Sequence, residues 1–340
     1  MASLLKSPVM SGPRIFIDGH VGTTGLRIRE WLAPRVDLEL WTLTESERKS
    51  EPARKKAIAE SDLTVLCLPD EASRQAAAWA DEAGARLIDA SSSHRVSDGW
   101  VYGLPELTAT HREAIRDARF VTNPGCYASA FVLLVRPLVD EGLLSGDTAL
   151  SIHGLSGYSG GGKLLIERWE SSDNGRIALP FEAPYALDRI HKHVPEMQRY
   201  ANLAHPPQFV PAVGPFKCGM RVEIPIHSSL LHNSSAPDAR ESEPKEATGE
   251  AVWKVLADRY RDEPFIEVEP YLGFEPVDDF ALDPTSLNDT NRMQLHVLPN
   301  PAGHVLVVAL LDNLGKGASG CAIQSLNLML GLGETTGLPT

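Results

Sequence analysis

The stretch Arg14-Ile15-Phe16-Ile17-Asp18-Gly19-His20-Val21-Gly22-Thr23-Thr24-Gly25 decides the fold. Residues 14–18 form a short apolar run, and Gly19, Gly22 and Gly25 follow with the spacing GxxGxxG. Leu26, Ile28, Trp31 and Leu32 then recur at helical intervals. Glycines at a strand-to-helix turn let the backbone approach a pyrophosphate, and the helix N-terminus offers unpaired N–H groups to it. The stretch therefore reads as the first strand, phosphate loop and first helix of a dinucleotide-binding unit.

Working outward, Leu38–Leu43 alternates like a strand, and Leu63–Leu68 is an apolar run expected of a buried parallel strand. Residues 72–83 are helical in composition, and strand-like runs recur at 86–89 and 120–121. Strands alternating with helices predict an α/β, Rossmann-like, doubly wound parallel sheet. Past residue 126 a helix is expected over 127–138, ending near Pro137, followed by strands near 149–154, 219–226, 293–297 and 304–311. That half reads as an α+β catalytic domain with a mixed sheet. The expected organisation is a nucleotide domain of residues 13–125 plus 317–340 and a catalytic, dimerising domain of 126–316. The polar residues 229–249 are expected to form a flexible insertion.

The 340 residues are 43% hydrophobic and 23% charged, ordinary for a globular protein. A formal net charge of -13 repels phosphate backbones, so nucleic acid is not the expected partner. Cys67, Cys126, Cys218 and Cys321 form no CxxC pair, which argues against a metal knuckle or a disulfide scaffold. No apolar run is long enough to span a membrane. The expectation is a cytoplasmic protein with reduced thiols and no metal.

After the second strand come Thr44, Glu45, Ser46, Glu47, Arg48 and Lys49. Thr44, Ser46 and Arg48 suit a 2′-phosphate, whereas the two glutamates argue for NAD; NADP is the preferred expectation. The most informative chemical stretch is Asn123-Pro124-Gly125-Cys126-Tyr127-Ala128. A turn places a thiol at the start of a helix, where the helix dipole favours the thiolate. A thiolate is both a nucleophile and a leaving group, which suits attack on an acyl phosphate and later collapse of a tetrahedral intermediate.

With these residues the chain resembles the shorter type of the N-acetyl-gamma-glutamyl-phosphate reductase family. The matching stretches are 16–25, 89–95 (DASSSHR), 103–107 (GLPEL), 123–128, 154–163 (GLSGYSGGGK), 191–196 (HKHVPE) and 312–318 (DNLGKGA). The resemblance implies reduction of N-acetyl-gamma-glutamyl phosphate to the semialdehyde in arginine biosynthesis, with NADPH oxidised and phosphate released. It also implies a homo-oligomer, dimer or tetramer. It places the catalytic cysteine at Cys126, makes one of His191 and His193 the acid/base and the other a substrate contact, and assigns Tyr185 to substrate and Asn313 to the nicotinamide.

Read physically, Pro195 suggests that His191-Lys192-His193 is extended with both imidazoles on one side, and Glu196 could orient one ring. His193 is preferred over His191 as the proton carrier. Arg95, after a Ser-rich turn, suits two-point binding of a carboxylate or phosphate. The Gly/Ser loop 156–163 offers Ser156 to the substrate and Gly157 to the cofactor, or N–H groups to the leaving phosphate. The expected sequence of events is thiolate attack, loss of phosphate, hydride reduction of the thioester by NADPH, and protonation of the oxyanion as the thiolate departs. The alternatives are a related reductase acting on aspartyl or N-acyl-aminoadipyl phosphate, and a nucleotide-sensing regulator without turnover.

Overall fold

The structure is a computed structural model that describes residues 12–170, 181–232, 245–278 and 280–340. Six strands form the first sheet: β1 (Arg14–Asp18), β2 (Glu39–Trp41), β3 (Leu63–Leu66), β4 (Leu87–Asp89), β5 (Val101–Tyr102) and β6 (Phe120–Thr122). Their order is β2-β1-β3-β4-β6-β5 and every pairing is parallel. The intervening helices are α1 (Thr23–Leu32), α2 (Glu51–Glu60), α3 (Asp70–Ala83) and α4 (His111–Asp117).

Alternation along each strand sends side chains to both faces. Ile15, Ile17, Val65 and Ile88 pack on one face against Ile28 and Leu32 of α1 and Ile115 of α4. Phe16, Leu66 and Leu87 pack on the other against Ile58, Ala76 and Ala80 of α2 and α3. The chain leaves β1 toward β2 on one side and meets β3 on the other, so the crevice for a ligand opens beyond the carboxyl ends of β1 and β3. Gly19 sits there at φ +89, and a Cβ on it would stand 2.3 Å from the Cys67 carbonyl oxygen. No other residue type meets both conditions.

Seven more strands build the second sheet: β7 (Ser151–Gly157), β8 (Ala183–Pro184), β9 (Gln208–Gly214), β10 (Met220–Ile226), β11 (Ile266–Val268), β12 (Met293–Pro299) and β13 (Val305–Leu311). The order is β11-β12-β13-β10-β7-β9-β8, with β7–β9 and β11–β12 parallel and the other pairings antiparallel. It is the mixed sheet the sequence predicts. One face is covered by α5 (Cys126–Asp140) and α8 (Lys245–Tyr260), with Val132, Val135 and Leu256 packed on Val222, Ile224, Val307 and Ala309. The remaining helices are α6 (Gly162–Glu170), α7 (Val194–Tyr200) and α9 (Gly320–Met329), the last reached through a π-helical turn at Gly315–Ser319. Ala322, Ile323 and Leu326 belong to the same core as β1 and β3, and α9 packs back against α4, α1 and β4.

Several local expectations are corrected. α5 does not end near Pro137 but runs through it to Asp140. Proline removes the N–H that the Leu133 carbonyl would receive, and the Tyr260 hydroxyl donates to that carbonyl instead at 2.7 Å. Both ends of the expected insertion at 229–249 carry regular structure. Ser228–Leu230 is a short 3-10 turn, Leu231 bridges Leu144, and α8 already begins at residue 245; residues 233–244 lie outside the described part. The Gly/Ser stretch at 156–163, expected as a loop, is the end of β7, a 3-10 turn and the start of α6. Lys163 at its end is exposed and pairs with Glu167. Cys67 lies just past β3, beneath the glycine turn, rather than inside the strand. Among the described residues no helix is long and apolar enough to cross a membrane.

Candidate active site

The phosphate loop is built from its own backbone. α1 begins at Thr23 with Gly22 as its cap, no side-chain hydrogen bond satisfies its first turn, and no acidic residue stands there. Its N–H groups are free for an anion. A cleft of about 260 Å³ starts at Gly22, Thr23 and Thr24 and ends at Cys126, Asn313 and Gly317. A cleft running from a bare helix N-terminus to a thiol fits a dinucleotide laid with its phosphates at one end and its reactive ring at the other. Gly25 contacts the turn rather than lining the cleft, since a Cβ there would stand 2.6 Å from the Gly19 oxygen. Thr44, Ser46 and Arg48 lie beyond β2 and are engaged with each other and their neighbours. Thr44 Oγ1 is 3.2 Å from Ser46 Oγ and donates to Glu47, and Arg48 is paired with Glu45 at 2.5 Å. A 2′-phosphate reaching Arg48 has to displace Glu45.

The thiol sits where the sequence places it, at the first residue of α5. Its chemistry differs from expectation. Burial pushes the Cys126 thiol up to about 11, against the pull of the Tyr127 N–H, Arg95 and Lys192. Desolvation outweighs the helix terminus, so the thiol is protonated at neutral pH and becomes a nucleophile by handing its proton on. Alkylation of Cys126 by iodoacetamide should accelerate about tenfold per pH unit from about pH 7 to about pH 10. A rate already level at pH 8, followed by mass spectrometry, would contradict this.

Two histidines stand beside it. The segment His191–His193 is a turn, not extended, because His193 itself caps α7 with helical dihedrals. The rings meet edge to face, 4.7 Å apart and inclined 86°, rather than side by side. His191 Nδ1 accepts the His193 N–H at 3.2 Å, which leaves the proton of the neutral ring on Nε2, 3.3 Å from the Tyr185 hydroxyl. His193 Nδ1 is buried and unpartnered among the described residues. Burial drives both rings toward the neutral form, His191 down to about 4 and His193 well below its usual range. Neutral imidazole at pH 7 is a base ready for a proton.

Glu196 does not orient either ring. Its carboxylate accepts from Arg95 Nη1 at 2.8 Å, the Tyr102 hydroxyl at 3.0 Å and the Gly125 N–H at 2.9 Å. It thus ties the arginine to the turn that presents Cys126. Arg95 is further held by Nε donating to the Ser91 carbonyl at 3.1 Å. That turn is anchored by Asp89 at the end of β4, which accepts from Ser73, from Ser91 and from His94 at 2.6 Å. Burial favours the neutral acid at Asp89, but these hydrogen bonds outweigh it and hold the carboxyl below its usual range. The Asp-Ala-Ser-Ser-Ser-His-Arg stretch is therefore one pre-organised unit.

These parts converge tightly. A Cβ on Gly125 would stand 2.5 Å from His193 Nε2 and 2.7 Å from Arg95 Nη1, and one on Gly317 would stand 2.7 Å from the Cβ of Cys126. A second cavity, of about 440 Å³, opens on the other side of the thiol and is lined by Cys126, Ser156, Tyr185, His191 and His193. Ser156 Oγ donates to the Gly157 carbonyl at 3.1 Å. Gly157 packs against Lys217 backbone, and Asn313 bridges Ser159 Oγ (3.0 Å) and the Gly219 N–H (2.8 Å). Lys192, missed in the sequence, lines both cavities and has no side-chain partner among the described residues. Its only signal was its place between the two histidines.

A family model for the semialdehyde dehydrogenase NAD binding domain matches residues 14–118, and one for the semialdehyde dehydrogenase dimerisation domain matches residues 126–313. A protein of Nostoc named N-acetyl-gamma-glutamyl-phosphate reductase 2 is 42% identical over 97% of this chain and 100% of its own length. A protein of Burkholderia lata named N-acetyl-gamma-glutamyl-phosphate reductase is 45% identical over 96% of this chain and 98% of its own. Aspartate semialdehyde dehydrogenase II of Vibrio cholerae superposes with a TM-score of 0.67 at 16% identity, covering 94% of this chain and 98% of that one. The Candida albicans aspartate semialdehyde dehydrogenase with NADP gives 0.61 at 15% identity, covering 94% and 99%. At those identities the two structures establish the fold. The chain belongs to the N-acetyl-gamma-glutamyl-phosphate reductase family, a branch of the semialdehyde dehydrogenases.

Proposed function

We propose that this chain reduces N-acetyl-gamma-glutamyl phosphate to N-acetylglutamate semialdehyde with NADPH, through a thioester on Cys126, in arginine biosynthesis. One observation carries the reading. Cys126 lines both cavities, together with Gly160, Lys192 and His193, so a group bound to its sulfur stands between the phosphate-loop cleft and the cavity of His191 and Tyr185, with His193 beside it in both.

Cys126 passes its proton to His193 as the sulfur attacks the acyl carbon. The carbon–oxygen bond to phosphate breaks, and the phosphate leaves with the bonding pair. Arg95 and Lys192, the cations that line the phosphate-loop cleft with Cys126, hold the anionic groups. Bound in that cleft, NADPH supplies the hydride that reduces the thioester. The oxyanion left by hydride transfer re-forms a carbonyl, which breaks the carbon–sulfur bond and releases the aldehyde. The Cys126 sulfur leaves with the bonding pair and takes its proton back from His193. His193 suits this role better than His191, whose two nitrogens are committed to the His193 N–H and to Tyr185. Tyr185 and Ser156 bound the substrate side, and Glu196 acts through Arg95 and Gly125. Replacing His193 with Gln should lower kcat by about 10²–10⁴-fold with little change in NADPH affinity. An H193Q enzyme within tenfold of wild type would assign the proton to another group.

For the cofactor, Gly19, Gly22, Thr23, Thr24 and Gly25 would hold the pyrophosphate, Thr44, Ser46 and Arg48 the 2′-phosphate, and Gly157 and Asn313 the nicotinamide end. The nucleotide unit comprises residues 13–125 with 317–340, and the catalytic unit 126–316. The molecule works as a homo-oligomer, a dimer or tetramer. A nucleophilic thiol has to stay reduced, which suits the cytoplasm.

Steady-state rates in the phosphorolytic direction, followed by NADPH absorbance, test the reading. N-acetylglutamate semialdehyde should exceed aspartate semialdehyde in kcat/KM by at least about 100-fold. The reverse preference would make the chain an aspartate-semialdehyde enzyme. Tight NADPH binding without turnover of any acyl phosphate would make it a sensor.

A further inference from the structure

The π-helical turn at Gly315–Ser319 stands directly behind Cys126. Its N–H groups reach back five residues, Gly317 to the Asp312 carbonyl at 2.9 Å and Ser319 to the Leu314 carbonyl at 3.0 Å. Single π turns are rare and cluster at functional sites. This one is pinned along its length. Gly315 lies against Thr290, where a Cβ would stand 2.1 Å from the carbonyl oxygen. The Lys316 carbonyl accepts from Cys321 Sγ at 2.9 Å, and Lys316 Nζ is tied to Glu106 and Gln324. The Ala318 carbonyl accepts from Asn123 Nδ2 at 2.9 Å. Ser319 Oγ donates to the Thr24 carbonyl at 3.3 Å, in the first turn of α1.

Gly317 is the residue of this turn that meets the cysteine. Its φ lies outside the left-handed region, so conformation does not call for glycine there. Space does. A Cβ would stand 2.7 Å from the Cys126 Cβ and 3.4 Å from its Cα. Carbon atoms rest about 3.5–4.0 Å apart, so a methyl group at Gly317 forces a separation of roughly 0.8 Å. The pinned turn has no room to recede, so the cysteine moves. Gly317 lines the phosphate-loop cleft and not the cavity of His191 and Tyr185, so that movement carries the sulfur away from the cleft. We propose that Gly317 is a positioning residue for hydride transfer. Its bare Cα lets the sulfur-bound acyl group stay at the nicotinamide end of the cleft. Acylation depends on it far less, because a free substrate follows the sulfur, whereas a bound nicotinamide is tied to a cleft that stays in place. This rests on the function proposed above.

Rapid mixing separates the two steps in wild-type and Gly317→Ala enzyme. With N-acetyl-gamma-glutamyl phosphate and no NADPH, acylation is read as phosphate release and acyl mass on Cys126. NADPH is then added, and its loss of absorbance reads hydride transfer. Gly317→Ala should acylate within about threefold of wild type and transfer hydride roughly 100-fold more slowly, the scale of a misplacement near 1 Å. NADPH affinity, by fluorescence titration, should be unchanged. Deuterium at the transferred position of NADPH should slow the variant's kcat by the full isotope effect, because hydride transfer now limits the rate. Ser319→Ala adds no bulk and frees the turn from Thr24, and it should show the same split at about fivefold. Hydride transfer at the wild-type rate in Gly317→Ala, or acylation lost as far as hydride transfer, overturns the proposal. If Gly317→Ala does not fold, a wild-type hydride rate in Ser319→Ala overturns it instead. A wild-type enzyme that takes no acyl group from the acyl phosphate removes the parent reading as well.

Discussion

Cys126→Ala should lose turnover by roughly 10⁴-fold or more, because no other thiol lines the cavity among the described residues. NADPH should still bind, since the bare α1 terminus and the glycine turn are untouched. The intermediate itself gives a second readout. With N-acetylglutamate semialdehyde and NADP⁺ but no phosphate, wild-type enzyme should release one equivalent of NADPH per site in a burst and gain an acyl mass on Cys126. The alanine variant should show neither. A variant that retains more than a hundredth of wild-type activity would mean that hydride transfer does not pass through this sulfur.

Lys316→Met should destabilise the fold by about 3–5 kcal/mol, the cost of leaving one charge of a buried pair alone. Lys316 is completely buried, and its Nζ donates to Glu106 and to Gln324, each at 2.7 Å. Burial opposes both charges, yet Lys316 lowers Glu106, and Cys321 and Glu106 raise Lys316, so the two directions agree on an ionised pair. Gln324 donates to Glu106 and to Glu334, and Arg112 pairs with Glu334 and Glu263. The network thus joins the first sheet's loops, α9 and the end of α8. Adding Glu106→Leu to the methionine variant should recover much of the loss, as an apolar pair of similar size replaces the ions. Urea melts of the single and double variants measure both effects. A single variant within 1 kcal/mol of wild type would show that Glu106 finds water or a proton. Because Gly317 touches Cys126, the single variant should also lose activity before it loses its fold.

Much of the architecture was legible because its determinants are local. The strand 14–18, the glycine turn and α1 are contiguous, and a continuous apolar run gives way to apolar residues spaced at about 3.6 within the stretch. The strands at 220–226 and 293–299 carry their own alternation, and 305–311 is a continuous apolar run. β9 was missed: Pro211 and flanking small residues hide it, and it forms by pairing with β7. β8 and β11, of two and three residues, are too short to show a period.

The amino-acid sequence alone determined that a cysteine begins a helix after a tight turn, that a glycine turn precedes another, and that two histidines lie beside a proline-started third. Each is a property of a few consecutive residues. What those residues become in chemistry was decided by tertiary structure. Burial set the Cys126 thiol near 11 where the helix terminus alone argued for a thiolate. Glu196 went to Arg95 and Gly125, which lie 101 and 71 residues away, rather than to its sequence neighbours. Lys316 found Glu106 across 210 residues. Desolvation and long-range pairing depend on which surfaces meet when the sheets and helices close, and no local pattern records that.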